Sequence, residues 1–138
     1  MSPAAIITVT LATHLAAIPL VLLVARGLIR SHLHRLFAAC PPHTPLPGAI
    51  HRRFQSFSIG IVNLGGSIHV SADSDHLHLN PAMLVRWFGM KPVSIQWEAI
   101  AVDPVKRSFT NAATIRIDGA SWTMRAPRWC LELARPSS

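Results

Sequence analysis

The chain has 138 residues, half of them hydrophobic and 14% charged, with two cysteines and a formal net charge of +7. That length admits one small domain beside a membrane segment, and two cysteines without CxxC spacing exclude a zinc ribbon or a dithiol redox motif. The basic excess is local: Arg26, Arg30, Arg35, Arg52 and Arg53 precede the first acid, Asp73, whereas from Phe54 onward eight basic residues face six acidic ones, a balance of +2. Those five arginines therefore suit anionic lipid headgroups, and no nucleic-acid partner is expected.

No charged residue occurs from Pro3 to Ala25. At about 1.5 Å of rise per residue, residues 4–25 cover the roughly 30 Å hydrocarbon core, which predicts a membrane-spanning helix. A cleaved signal would open on basic residues and carry a shorter apolar stretch. Phe37-Ala38-Ala39-Cys40 has the outline of a lipoprotein processing site, but arginines separate it from the apolar core and a helix end is the simpler reading. The arginines all follow the span, so the positive-inside tendency predicts a single pass through the cell (inner) membrane, amino terminus outside and the rest cytoplasmic. In that compartment Cys40 and Cys130 stay reduced and take a buried, structural role. Pro19 is expected to kink the span. Thr8, Ala12 and Ala16 share a face at small-residue spacing that leaves self-association open. His14 is expected as a neutral imidazole bonded to a neighbouring helix or a local carbonyl.

Beyond Arg26 the helix continues as an amphipathic stretch. Ile29, Leu33, Leu36, Phe37 and Cys40 gather on one side, opposite Arg30, Ser31, His34 and Arg35, with Leu28 as the exception. This predicts an extension lying in the headgroup layer and ending before Pro41 and Pro42. Pro41, Pro42, Pro45, Pro47 and Gly48 then read as a stiff spacer closed by His51-Arg52-Arg53. The expected organisation is residues 1–40 as span and extension, 41–53 as a basic Pro-rich linker, and 54–138 as a β domain.

In that domain the apolar period changes to two. Phe57, Ile59 and Ile61 are predicted to pair with Ile68 and Val70 around Gly65-Gly66, placing Ile61 opposite Val70. A second turn at residues 72–75 sets Val70 against Leu77, Ile68 against Leu79 and His69 against His78. Val93, Ile95 and Trp97 form another strand. Ala113, Ile115 and Ile117 meet Met124, Trp122 and Ala120 across Asp118-Gly119. Residues 86–90 read as a further strand, and 103–111 stay ambiguous. Pro127 opens a short helix whose Trp129 and Leu133 would cover an open end of the sheet. The fold class expected is an N-terminal transmembrane helix, then an antiparallel β meander or partly open barrel, then a short C-terminal helix.

The runs SADSDHLHL, residues 71–79, and FGMKPVSIQWEAI, residues 88–100, resemble a family of small, uncharacterised bacterial membrane proteins. In that family a strand carrying GLxL precedes a PPLxIPWxxI turn and strand within a pleckstrin-homology-like barrel. His76 stands where the family has Gly, and Gln96 replaces the Pro before Trp97. The resemblance implies a fold and a membrane location, and brings no catalytic motif.

The sequence contains no P-loop, nucleophile elbow or HExxH motif. The loop at residues 63–66 lacks the basic residues of an inositide-binding site, and no cofactor is expected. His69, His76 and His78 are the candidate metal ligands, as cross-strand neighbours on an outer sheet face with Asp73 or Asp75 adding an oxygen; a solvated strand face is the competing reading. Trp97 and Trp122 are expected in the core, whereas Arg86, Trp87, Phe88 and Lys91 mark a candidate contact with a partner or membrane. Lys106-Arg107 reads as a solvated loop. The function expected is a non-catalytic, membrane-anchored interaction module that binds another membrane or cytoplasmic protein, with a metal- or pH-responsive sensor as the alternative.

Overall fold

The computed structural model describes residues 1–102 and 111–134. Helix α1 runs unbroken through Pro19 from Pro3 to Ala39. The Ser2 hydroxyl caps it by accepting the Ala5 amide, and Pro3 lies in the first turn, where a missing N–H costs no helical bond. Its most apolar 18-residue window has a mean hydropathy of 2.2 and no buried residue, so it is long and apolar enough to cross a membrane. Polar side chains in this part turn back on the helix: the Thr8, Thr10 and Thr13 hydroxyls donate to carbonyls four residues earlier, and His14 Nδ1 lies 2.7 Å from the Thr10 carbonyl. The helix stops at Cys40, where the following prolines disfavour helical backbone.

The β domain is two antiparallel sheets. The first has the order β1-β4-β5-β6, from β1 (Ile50–Gln55), β4 (Ile68–Ala72), β5 (His76–Pro81) and β6 (Val93–Gln96). The second has the order β3-β2-β9-β8-β7, from β2 (Ser58–Ile59), β3 (Val62–Asn63), β7 (Ile100–Ala101), β8 (Ala112–Ile117) and β9 (Ala120–Arg125). A 3-10 turn at Trp97–Ala99 carries the chain from one sheet to the other. Helix α2 (Met83–Trp87) sits in the β5–β6 connection, and α3 (Arg128–Leu133) follows β9. Among the described residues the sheets do not close into a barrel.

The β8–β9 hairpin has the expected register, Ala113 with Met124, Ile115 with Trp122 and Ile117 with Ala120. Asp118 and Gly119 both have positive φ, 48° and 77°, the mirror-image turn that matches strand twist. Trp97 and Trp122 are buried, as expected.

Elsewhere the pairing differs. Ile61 does not face Val70: it is exposed at the tip of the tight β2–β3 turn, and Val70 lies between Arg52 of β1 and Leu79 of β5. Gly60 makes that turn with φ +58, pressed so close to α1 that a Cβ would collide with the His32 ring. The β4–β5 pairing is shifted by two residues from the expected one, with Val70 opposite Leu79, Ser71 opposite His78 and His69 opposite Asn80. Residues 86–90 are not a strand; the segment winds into α2 with Val85 and Phe88 against the core. In α3 Cys130 and Leu131 are buried and Trp129 packs against the core as expected, while Leu133 is exposed. The expected Lys106-Arg107 loop lies outside the described residues.

The supposed linker is also structural. Residues 50–53 belong to edge strand β1, which pairs with β4 because His51 and Arg52 align with Ser71 and Val70. Residues 41–49 form a strap over the outer face of the first sheet, its amides at His43 and Leu46 bonded to Ser94 and Asp73.

One apolar cluster joins the inner faces of both sheets, α3, and Ile29, Leu33, Leu36 and Cys40 of α1. The amphipathic stripe is therefore present, but it packs on protein rather than in the headgroup layer. Full burial of Leu33 or Leu36 is worth about 1.5–3 kcal/mol, and a dry core supplies it where a hydrated interface does not. The helix and the domain share one core.

Candidate functional site

A dense polar cluster lies beneath the strap and grows out of the β4–β5 turn. Asp73 follows the last residue of β4, and its Oδ1 accepts the amides of Asp75 at 2.9 Å and His76 at 2.8 Å, the local bonding that lets Asp wrap a tight turn. Its Oδ2 accepts the Leu46 amide from the strap at 3.0 Å and lies 2.7 Å from His78 Nε2. Its carbonyl takes the Trp97 indole N–H at 2.8 Å. On the other side of the ring, His78 Nδ1 is 2.7 Å from Ser94 Oγ, which accepts the His43 amide at 2.8 Å. The Asp73 carboxylate can only accept, so Nε2 is the ring nitrogen that carries the hydrogen toward it, and Nδ1 accepts from the Ser94 hydroxyl while a lone pair of Oγ accepts the His43 amide; the network assigns this tautomer.

The two central side chains are almost enclosed, His78 at 6% and Ser94 at 4% exposure. Burial works to raise the Asp73 pKa, but the bonds from Leu46, His78, His76 and Asp75 together outweigh it and hold the carboxyl well below the ordinary carboxylate range. The serine, histidine and aspartate stand in the order of a hydrolytic triad. However, Ser94 Oγ is covered and engaged on both sides, so it presents no nucleophile to a substrate. What the arrangement does is tie the strap to two strands of the sheet.

The metal constellation changes accordingly. His69 leaves it, because the two-residue shift puts His69 opposite Asn80, where its Nδ1 takes the Phe54 amide at 3.3 Å and its ring meets Phe54 edge-on. Of the two carboxylates expected to add an oxygen, Asp73 is the one in place: one ligand atom each from Asp73, His76 and His78 lies within 4.8 Å of the others. His76 also faces the strap, its ring 5.1 Å from that of His43 and 5.6 Å from that of His78. These are ligand types that suit Zn²⁺ or Cu²⁺. His78 and Ser94 do not form a solvated strand face, as the histidine run alone suggests, because the strap covers them. Sequence reasoning missed Ser94 and His43; the one available signal was a serine on the outward phase of β6, level with His78.

The remaining candidates scatter. Arg26, Arg30 and Arg35 are exposed along α1 over about 14 Å of helix, counted at 1.5 Å per residue. Arg52 and Arg53 lie apart from them on β1, and the Arg52 guanidinium stacks 4.7 Å from the centre of the Trp129 ring. Of the partner-contact residues, Arg86 is turned back on the domain, bonding the Pro81 carbonyl and Asn80, and Phe88 packs against the core. Trp87 and Lys91 stay exposed. Cys40 and Cys130 are free and buried; burial raises both thiols, Cys130 to about 12 against a lowering influence from Arg52.

No family model, curated protein or solved structure matches the chain.

Proposed function

We propose that this chain is a single-pass membrane protein whose cytoplasmic, pleckstrin-homology-like domain binds another protein at the inner face of the cell membrane, without catalysis of its own. The observation that carries this reading is the shared core: Leu33 and Leu36 of the spanning helix are completely buried among the strands. A domain built on its own anchor is held at one height and one orientation, which suits a platform for assembly better than a freely tethered catalyst. The arginines that follow the span support the cytoplasmic placement. The resemblance over residues 71–100 supports the domain type, although the sheets are open.

The surface proposed for the partner is β1. Among the described residues it is the end strand of its sheet, exposed through Phe54, with no strand paired on one side and His51, Arg52 and Arg53 along it. An extended segment with acidic side chains complements it. The test is in-cell crosslinking of the full-length protein from a photoreactive residue at position 53, with and without Arg52→Glu. A stoichiometric adduct that disappears with the charge reversal supports the reading; an adduct unaffected by it, or none, argues against this edge.

A second reading, a metal-responsive sensor, rests on the convergence of Asp73, His76 and His78. An ion there would displace the hydrogen bond between His78 and Asp73, so latch and metal site compete for the same atoms. Equilibrium dialysis of the purified full-length protein against Zn²⁺ separates them. One ion per chain, lost with His76→Ala and with His78→Ala, favours the sensor; no retained Zn²⁺ favours the latch.

A further inference from the structure

Helix α2 carries apolar side chains on both of its faces. Val85 and Phe88 face the core. Met83, Leu84 and Trp87 fall within about 100° of arc on the other side and are left 72%, 63% and 60% exposed. Three adjacent large hydrophobic side chains turned outward on one short helix are a patch that calls for an occupant.

Two observations say what covers it. The glycine just past α2, Gly89, lies against α1 at Arg26: a Cβ built there would be 3.6 Å from the Arg26 Cα. Arg26 is the first charged residue after the apolar segment, so this is the level at which α1 leaves the hydrocarbon. In addition, Leu22 and Ala25, on the same face as Ile29, are partly covered, whereas the rest of the apolar segment is exposed apart from Ala5. The domain thus reaches down to the last turn of the span. Tryptophan at that depth is the residue of membrane–water interfaces, and the exposed Arg26 and Lys91 nearby complement headgroup phosphates.

We propose that Met83, Leu84 and Trp87 form a second membrane contact, immersed in the headgroup and upper acyl region of the same leaflet from which α1 emerges. This rests on α1 spanning the bilayer. The contact adds to the shared core in holding the domain against the bilayer surface.

The test reconstitutes the full-length protein in vesicles of phosphatidylcholine and phosphatidylglycerol, with the phosphatidylcholine brominated at shallow or deep acyl positions, and compares it with Trp87→Phe. Trp97 and Trp122 are enclosed in the domain and Trp129 is half-buried, so Trp87 is the tryptophan in reach of lipid. The expected result is quenching that is stronger with shallow bromines and mostly lost in the variant, with little acrylamide access to Trp87. Two results overturn the proposal while the protein still resists alkaline carbonate extraction: Trp87 open to acrylamide and untouched by brominated lipid, or Trp87 shielded from both, which means a protein surface covers it. Extraction by carbonate overturns the anchor and this contact with it.

Discussion

Asp73 shows how one side chain can hold three parts of a fold. Its carboxylate closes the β4–β5 turn through the Asp75 and His76 amides, holds the strap through Leu46, and orients His78 toward Ser94. The carboxyl is held well below its ordinary range in the folded state, so its contribution is complete above the unfolded value of about 3.9 and is lost as pH falls below that toward the folded value. Urea unfolding of the purified protein followed by Trp fluorescence should therefore show a stability decline below about pH 4 that is shallower in Asp73→Asn. The same substitution should lower the midpoint at pH 7 by the equivalent of about 1–3 kcal/mol, the cost of weakening a charge-assisted, buried set of bonds. An unchanged pH dependence would show that Asp73 is not the titrating latch.

At the scale of elements, the parts legible in the sequence were those fixed by local chemistry. Asp118-Gly119 carries the two positive φ angles of its turn, and the pattern on either side leaves one register, so β8 and β9 are read directly. The end of α1 at Cys40 follows in the same way from Pro41 and Pro42. The register of β4 against β5 was not legible, because a shift of two residues keeps every side chain on its own face and leaves the alternating pattern intact. What decides it is the bonding of Asp73 to Asp75 and His76, which needs a loop from residue 73 to residue 76. That shift removes His69 from the candidate site and leaves Asp73, one of the two carboxylates expected there, beside His76 and His78. The strap was illegible for a related reason: Pro41, Pro42, Pro45 and Pro47 specify an extended conformation and say nothing of what it lies against. Its contacts come from the backbone amides of His43 and Leu46, which any residue but proline provides. The stripe on α1 was read correctly as a stripe, yet Ile29, Leu33 and Leu36 suit a lipid interface and a protein core alike until the sheets are in place.

At the scale of the whole molecule, α1 and the β domain are one folded body. The strands alone leave a hole where Ile29, Leu33, Leu36 and Cys40 sit, and a domain of this size has a net stability of only about 5–15 kcal/mol. Losing two fully buried leucines, at about 2–5 kcal/mol for truncation of each to Ala, removes much of that margin. The β domain should therefore not survive separation from residues 27–40, the C-terminal part of α1 and its cap. The direct measurement is urea unfolding of two soluble fragments, one beginning at Gly27 and one at Ala49, both ending at Ser138. A single cooperative transition is expected for the first, and none, with weak chemical-shift dispersion, for the second. An equally cooperative transition at the same urea concentration in both would contradict it, and would make α1 a tether rather than part of the core.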